Sequence, residues 1–404
     1  MESKKGNEKK QGKNQRFLSP SFKKGGIKPQ KKEENEFKIN LLINMAEEEE
    51  EEEVNSSPKV KKSNKPKRLS LQEGNIIESK EIAQAPIKKR KSTEDGNINK
   101  LANKTKNMKL SESHIKNIAY MSQAGKGEDG FTKVNQDSYL VVNNLYKLGD
   151  YNIFAVLDGH GMNGHLVSQF ASKYFSHYYR KNKKLNVLES EEEVYNVLKK
   201  NNYETIRKSF NKAEHEVSKS DIDANFSGTT CCMLFQLGEK LITANVGDSR
   251  GIIVKNDEVT ALTIDQKPNN ENEMKRIIKN GGEVSQYEED GIKSGPYRVW
   301  KKGEMYPGIA MSRSIGDLLA STLGVIPEPE IKEFVLDKNT QFIIIASDGV
   351  WEFLDNKAVK NLVKPYYEKN DPEGACKCLI NESTKWWNQE DVVVDDITVI
   401  AIFF

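Results

Sequence analysis

Residues 240–263 read KLITANVGDSRGIIVKNDEVTALT. Three short apolar runs (240–248, 250–255 and 258–263) follow one another with only turn residues between them. A parallel neighbour needs a crossover of a dozen or more residues, so connections this short demand antiparallel pairing. Working outward, strand-like runs recur at DSYLVV (137–142), YNIFAVLD (151–158), TTCCMLFQ (229–236), IKEFVL (331–336), FIIIASD (342–348) and DITVIAIFF (396–404). Helical periodicity falls between them in blocks, at 164–180, 191–218, about 270–280, about 356–369 and about 372–387. Runs of strands with segregated helices predict an α+β fold: a four-layer α-β-β-α sandwich with two central antiparallel sheets flanked by helices. There is no internal repeat.

The first 110 residues do not share this pattern. They carry 27 Lys+Arg against 17 Asp+Glu, whereas the remaining 294 carry 35 against 43, so a net charge of +2 hides a basic tail on an acidic body. The tail lacks Trp, Tyr and Cys and contains an unbroken acidic run, Glu47 to Glu53. It holds too little apolar surface to offset the entropy of ordering, which predicts a disordered segment 1–111 and a folded domain 112–404, with the boundary between about 105 and 118. Its one apolar cluster, FKINLLINM (37–45), reads either as a short docking helix for a protein partner or as a chance patch. The basic runs KVKKSNKPKR (59–68) and IKKRK (87–91) lack interleaved aromatic residues, which argues against nucleic-acid binding and for nuclear localisation or simple solvation. Ser70, Ser92 and Thr93 lie in basic contexts where added phosphate would alter attraction to the acidic body.

No stretch has the roughly 18 consecutive apolar residues of a membrane span, the N-terminus lacks a signal-peptide core, and Glu2 excludes N-myristoylation. The expectation is an intracellular chain, cytoplasmic or nuclear, and monomeric by default. Cys231 beside Cys232, and Cys376 near Cys378, have no zinc-knuckle spacing and are expected to be reduced and packed.

Aspartates gather at strand ends. Asp137 begins one strand; Asp158, Asp248 and Asp348 end others; Asp317 sits in SRSIGD, and Asp395 with Asp396 opens the last strand. Any single Asp-Gly pair reads as turn chemistry. Several at the mouths of strands sharing one core must converge, and converging carboxylates repel unless a cation sits among them. A carboxylate set without Cys or clustered His selects a hard cation, Mg²⁺ or Mn²⁺, and two such ions can activate a water against a phosphoester. His160 alone among the five histidines lies in an Asp-Gly turn, placed to protonate a leaving alkoxide. His165 and His177 fall in a helix, and His114 and His215 in polar stretches expected to be solvated.

Together NQDSY (135–139), VLDGHG (156–161), SGTT (227–230), ANVGDSRG (244–251), LTIDQKP (262–268), GIAMSRSIGD (308–317), IPEPEI (326–331), ASDGVWE (346–352) and DDITVI (395–400) resemble, in order and over about 115–404, the metal-dependent protein phosphatases, type 2C. The resemblance implies a phosphoserine/phosphothreonine phosphatase acting on proteins through a binuclear Mg²⁺ or Mn²⁺ centre whose bridging water attacks phosphorus in line. By motif, Asp158 would bridge the metals and the Gly159 carbonyl would bind one; Asp137, Asp348 and Asp395 would hold them, with Asp396 the alternative last ligand. Asp317 with Asp248 would form a weaker third-metal site, and His160 would be the general acid.

The pattern also departs from the family's. Gln136 stands where a Glu is common, and Thr132 and Lys133 where an Arg binds phosphate, so Lys133 is either a point-charge phosphate partner or a solvated lysine. Gln266 replaces a frequent His, a tolerated structural change. SGTT supplies small residues at a strand entering the core, Arg250 and Arg298 read as ion-pair partners, and Trp351, Trp386 and Trp387 as helix-packing residues. LLASTLGV (318–325) would lie in the family's mobile flap beside the substrate groove. The competing class is a pseudophosphatase scaffold, which loss of metal ligands would mark; here every core Asp is present.

Overall fold

The computed structural model describes residues 113–404. The expectations for the tail, including its disorder, the 37–45 cluster, the basic runs and Ser70, Ser92 and Thr93, lie outside the described residues. In chain order the strands are β1 (Asn117–Gln123), β2 (Ser138–Val142), β3 (Tyr151–Leu157), β4 (Gly159–His160), β5 (Gly228–Thr229), β6 (Cys231–Leu237), β7 (Lys240–Val246), β8 (Arg250–Lys255), β9 (Glu258–Ala261), β10 (Gly282–Glu289), β11 (Ile292–Lys301), β12 (Pro307–Ile309), β13 (Ile315–Gly316), β14 (Glu330–Val335), β15 (Thr340–Ala346) and β16 (Ile397–Phe403). The helices are α1 (Gly164–Lys181), α2 (Glu191–Lys219), α3 (Glu271–Lys279), α4 (Leu318–Ser321), α5 (Asp348–Trp351), α6 (Asn356–Tyr367) and α7 (Pro372–Glu390).

Two five-stranded antiparallel sheets, ordered β14-β7-β6-β3-β2 and β1-β16-β15-β8-β9, form the centre. Side chains alternate across each strand, so a strand buried on both faces serves two cores. In β3, Phe154 and Val156 face the other sheet while Ile153, Ala155 and Leu157 face α1 and α2. In β16, Ile400 and Ile402 face inward while Val399, Ala401 and Phe403 meet α6 and α7. Three stacked apolar layers result, and they make the expected α-β-β-α sandwich. Cys231 and Cys232 point to opposite faces of β6, and all four cysteines are unbridged.

Several elements depart from the sequence reading. β1 and the polar hairpin β10-β11 have no counterpart in it, because they bury few side chains and so carry no sustained apolar run. Helix α2 is broken at Lys200–Tyr203, where Asn201, Asn202 and Tyr203 take left-handed φ of 51°, 56° and 61°. Asn tolerates that region; Tyr203 is held there through its hydroxyl, which donates to Glu333 on the edge strand β14. Glu333 also accepts from the Tyr195 hydroxyl at 2.9 Å and Lys199 at 2.9 Å, so both halves of α2 grip that edge. Trp351 and Trp387 pack as expected, each indole N–H donating to a backbone carbonyl, whereas Trp386 is 36% exposed.

The segment 318–325 forms α4 and the turn after it, packing Ala320, Leu323 and Val325 against Ile277 of α3 and against Val299 and Ile309. This small subdomain is tied to the SRSIGD segment by Glu273. Its carboxylate accepts from Arg313 at 2.7 and 3.0 Å, from Arg276 at 2.7 Å and from the Ser312 hydroxyl at 2.7 Å. Burial opposes ionisation of Glu273, but the Arg313 and Arg276 guanidinium groups outweigh it and hold the carboxyl at about 2. A depressed carboxyl stabilises the fold fully above its unfolded value of 4.5, and the contribution is lost as pH falls from there toward 2. The shift corresponds to about 3 kcal/mol at neutral pH. Glu273→Gln is therefore expected to cost about 3 kcal/mol at pH 7 and progressively less below pH 4.5, which denaturant titrations at both ends of that range would measure.

Candidate active site

The VLDGHG stretch runs from β3 into a small three-stranded sheet rather than forming a turn at Asp158–His160. Past Leu157, residues Gly159–His160 form β4, which pairs with β5 (Gly159 opposite Thr229, His160 opposite Gly228), and β5 pairs with β13 (Gly316 opposite Gly228). This register sets His160, Gly228 and Gly316 side by side and brings Asp317 next to the imidazole, with His160 Nε2 2.6 Å from Asp317 Oδ2. Gly228 is required at the crossing: a Cβ there would overlap the Asp317 carboxylate and lie 2.9 Å from His160 Nε2. SGTT thus makes room for this pair. It also fixes Asp158, whose N–H donates to Thr230 Oγ1 at 3.0 Å while the Thr230 N–H donates to the Asp158 carbonyl at 2.9 Å.

Each of the other aspartates is positioned by its own local contacts. Asp137 accepts from the Ser347 hydroxyl at 2.7 Å, which joins NQDSY to ASDGVW. Asp348 opens α5 instead of ending β15. Asp396 is fully committed, accepting from the N–H groups of Gly125 at 2.7 Å and Gln136 at 2.8 Å. The Lys133 ammonium lies 2.6 Å from Asp395 Oδ1 and 3.7 Å from Asp396 Oδ2, and Asp395 Oδ1 also accepts from the Asp396 N–H at 2.7 Å. Lys133 is therefore neither solvated nor free, and its charge faces the carboxylates. Gln136 donates to the Gly161 carbonyl at 2.6 Å, a bond an ionised Glu cannot make, and its own carbonyl accepts from Gly159 N–H at 3.2 Å. Close backbone on both sides of Gly159, from Gln136 and Gly164, excludes any side chain there.

The carboxylates repel one another. Burial pushes the Asp158 carboxyl well above the carboxylate range, and Asp348, Asp137 and Asp395 push it further. Burial likewise raises Asp348, with Asp395 and Asp248 adding to it, and raises Asp137 despite its hydroxyl partner. Oδ1 of Asp137, Asp248 and Asp348, and Nδ1 of His160, are buried without a hydrogen-bond partner. Such atoms call for a ligand. As the side chains stand, no three His, Cys, Asp or Glu among the described residues are arranged to hold an ion. Lys133 and Lys267 supply positive charge instead, the latter pairing with Asp248. The all-oxygen donor set, the orphaned oxygens and the raised carboxyls fit hard divalent cations. Asp248 and Asp317, expected to hold a third ion, are engaged by Lys267 and His160 and fit it less well.

Several contributors have no counterpart in the sequence reading of the site. Lys267 was visible only as part of LTIDQKP. Glu214 of α2, lifted to about 7 chiefly by burial with Asp317 adding repulsion, accepts from the Gly316 N–H and braces β13. Ser347 is flagged only by its place beside Asp348. Gln266 is structural, accepting from Gly247 N–H at 2.7 Å and donating to the Asn245 carbonyl at 3.0 Å, which shapes the turn bearing Asp248. Arg250 forms the expected ion pair, a two-pronged one with Asp265 at 2.8 and 2.6 Å. Arg298 does not: among the described residues it donates to the Gly308 carbonyl. His114 is exposed as expected but also paired, 2.6 Å from the buried Asp150, while His215 is exposed and His165 half-buried in α1.

The layered sandwich and its aspartate-lined end define a type 2C phosphatase, and the protein phosphatase 2C profile matches residues 121–391. The chain belongs to that family, and its enzyme class is protein-serine/threonine phosphatase. It is 33% identical over 301 residues to probable protein phosphatase 2C 35 of Arabidopsis thaliana, covering 70% of this chain and 82% of that one. Probable protein phosphatase 2C 72 of the same plant is 32% identical over 286 residues, covering 67% and 82%. Among solved structures, a serine-threonine phosphatase 2C from Toxoplasma gondii superposes with a TM-score of 0.59 at 17% identity, covering 71% of this chain and 94% of that one. A C. elegans sex determining protein superposes at 0.54 with 19% identity, covering 72% and 65%. At such identities the structural likeness speaks for the fold alone. No helix among the described residues is long and apolar enough to cross a membrane.

Proposed function

We propose that residues 112–404 hydrolyse phosphoserine and phosphothreonine in proteins with two Mg²⁺ or Mn²⁺ ions, held by Asp137, Asp158, Asp348, Asp395 and the Gly159 carbonyl. The observation that carries the reading is the set of buried, mutually repelling aspartates Asp137, Asp158 and Asp348, of which Asp137 and Asp348 each bury an Oδ1 without a partner. Bound there, the ions would supply a nucleophilic water and neutralise the phosphoryl oxygens. Commitment of Asp396 to two backbone amides favours Asp395 as the last ligand. Lys133, now paired with Asp395, would serve a bound phosphate as a point charge once the metals take up Asp395. His160, facing Asp317, is the group to hand a proton to the departing serine or threonine oxygen. Segment 1–111 is proposed as a tail that modulates the body, and the chain as an intracellular monomer.

A calorimetric Mn²⁺ titration of the full chain tests this against the scaffold reading. The expected result is two ions bound per chain with release of protons, because raised carboxyls must ionise to become ligands. No binding near neutral pH would favour a pseudophosphatase.

A further inference from the structure

Beside His160 the chain exposes large apolar side chains on two loops that flank the imidazole. Met162 is 73% exposed two residues after His160, and Phe226 is 54% exposed two residues before Gly228, which underlies the imidazole. The two loops are fastened together. Asn163 N–H donates to Ser227 Oγ at 2.9 Å, the Asn163 side-chain amide donates to the Asp223 carbonyl at 2.9 Å, and Gly161 leaves no room for a Cβ against the Phe226 carbonyl. A third segment arrives from the α3/β10–β12 subdomain. The Tyr306 ring meets Phe226 edge to face with centroids 6.4 Å apart, and Met305 beside it is 65% exposed. Lys301 caps the Tyr306 hydroxyl at 2.8 Å.

Met162 and Phe226 leave most of their apolar surface to solvent although their loops are anchored, and exposed apolar clusters of this kind mark contact surfaces. Their position decides the occupant. In an extended peptide the residue two positions from a given one lies about 7 Å along the chain. Met162 follows His160 through the turn at Gly161, and Phe226 precedes Gly228 through the turn at Asn225–Phe226, so both side chains start from backbone that adjoins the imidazole. A phosphopeptide whose phosphorylated side chain enters beside His160 therefore lays a neighbouring residue across Met162 and Phe226. Lys301 and Lys302, both exposed at the Tyr306 edge, suit the anionic character of such a peptide on that side, while Glu304 beside Met305 and Asp223 on the Phe226 loop are exposed acids.

We propose that Met162, Phe226 and Tyr306 form a subsite for a large apolar side chain near the phosphorylated residue of the protein substrate, and so select among phosphosites. The inference rests on the hydrolysis reading above. Met and aromatic rings suit this use, the thioether adapting in shape and the rings offering rigid area at little entropic cost.

The test uses the full chain with Mn²⁺ and three substrates: p-nitrophenyl phosphate, a phosphothreonine peptide with Leu two residues to either side, and the same peptide with Ser instead. Burying a Leu-sized side chain is worth about tenfold in kcat/KM, and that preference for the Leu peptide is the expected result. The double variant Met162→Ala, Phe226→Ala is expected to lose it, with turnover of p-nitrophenyl phosphate and of the Ser peptide changed by less than about twofold; Phe226→Leu is expected to keep most of it. Equal kcat/KM for the two peptides in the unmodified chain, with the aryl phosphate still turned over, overturns the subsite alone. No turnover of the aryl phosphate by the unmodified chain overturns the hydrolysis reading and the subsite with it. A dimer in sedimentation that the double variant dissociates also overturns the subsite, assigning the patch to a second copy.

Discussion

Asp158→Ala is expected to reduce Mn²⁺-dependent hydrolysis of a phosphothreonine peptide by at least about 10³-fold, the scale set by several kcal/mol of charge stabilisation. Asp158 is the centre of the repelling cluster: Asp348, Asp137 and Asp395 all raise its carboxyl, and its backbone is held at both N–H and C=O by Thr230. With its carboxyl raised well above the carboxylate range, Asp158 carries little charge in the metal-free fold, so the variant loses only local packing and the contact with Asp348 and should remain folded without metal. The two readouts therefore move apart. Loss of activity accompanied by loss of folding would instead mark Asp158 as structural.

His160→Gln is expected to lower kcat for phosphothreonine peptides by about 10²- to 10⁴-fold. It should scarcely alter turnover of p-nitrophenyl phosphate, whose leaving group needs no proton. Burial opposes a charged imidazole, but the Asp317 carboxylate at 2.6 Å outweighs it and raises His160 above its usual 6.5. The acid form thus persists to higher pH than in a free imidazole. For the parent enzyme, kcat with peptide should fall along an alkaline limb lying above 6.5, and the limb should be missing in the variant. Equal losses on both substrates would remove His160 from the role of proton donor.

The sandwich was legible where burial is two-sided. β8 matches its sequence reading residue for residue, and β3, β15 and β16 to within two, because strands facing a core on each side must be continuously apolar. The hairpin β10-β11, lying outside both cores, left no such trace. At the site, the aspartates were legible because most flank a strand of the shared core, although Asp348 and Asp317 stand at the starts of α5 and α4. Their partners were not. Lys133 reaches Asp395 across 262 positions and Ser347 reaches Asp137 across 210, separations that local pattern does not encode. The reason for Gly228 appears only once β4, β5 and β13 are in register, and the break in α2, although marked by two consecutive asparagines, depends on Glu333 far along the chain.

The central claim is that these carboxylates hold divalent metal for phosphoester hydrolysis, and phosphate release from a phosphothreonine peptide tests it most directly. With Mn²⁺, after EDTA, and with Asp158→Ala in parallel, the account predicts turnover only in the first. Undiminished release in either of the other two would contradict it.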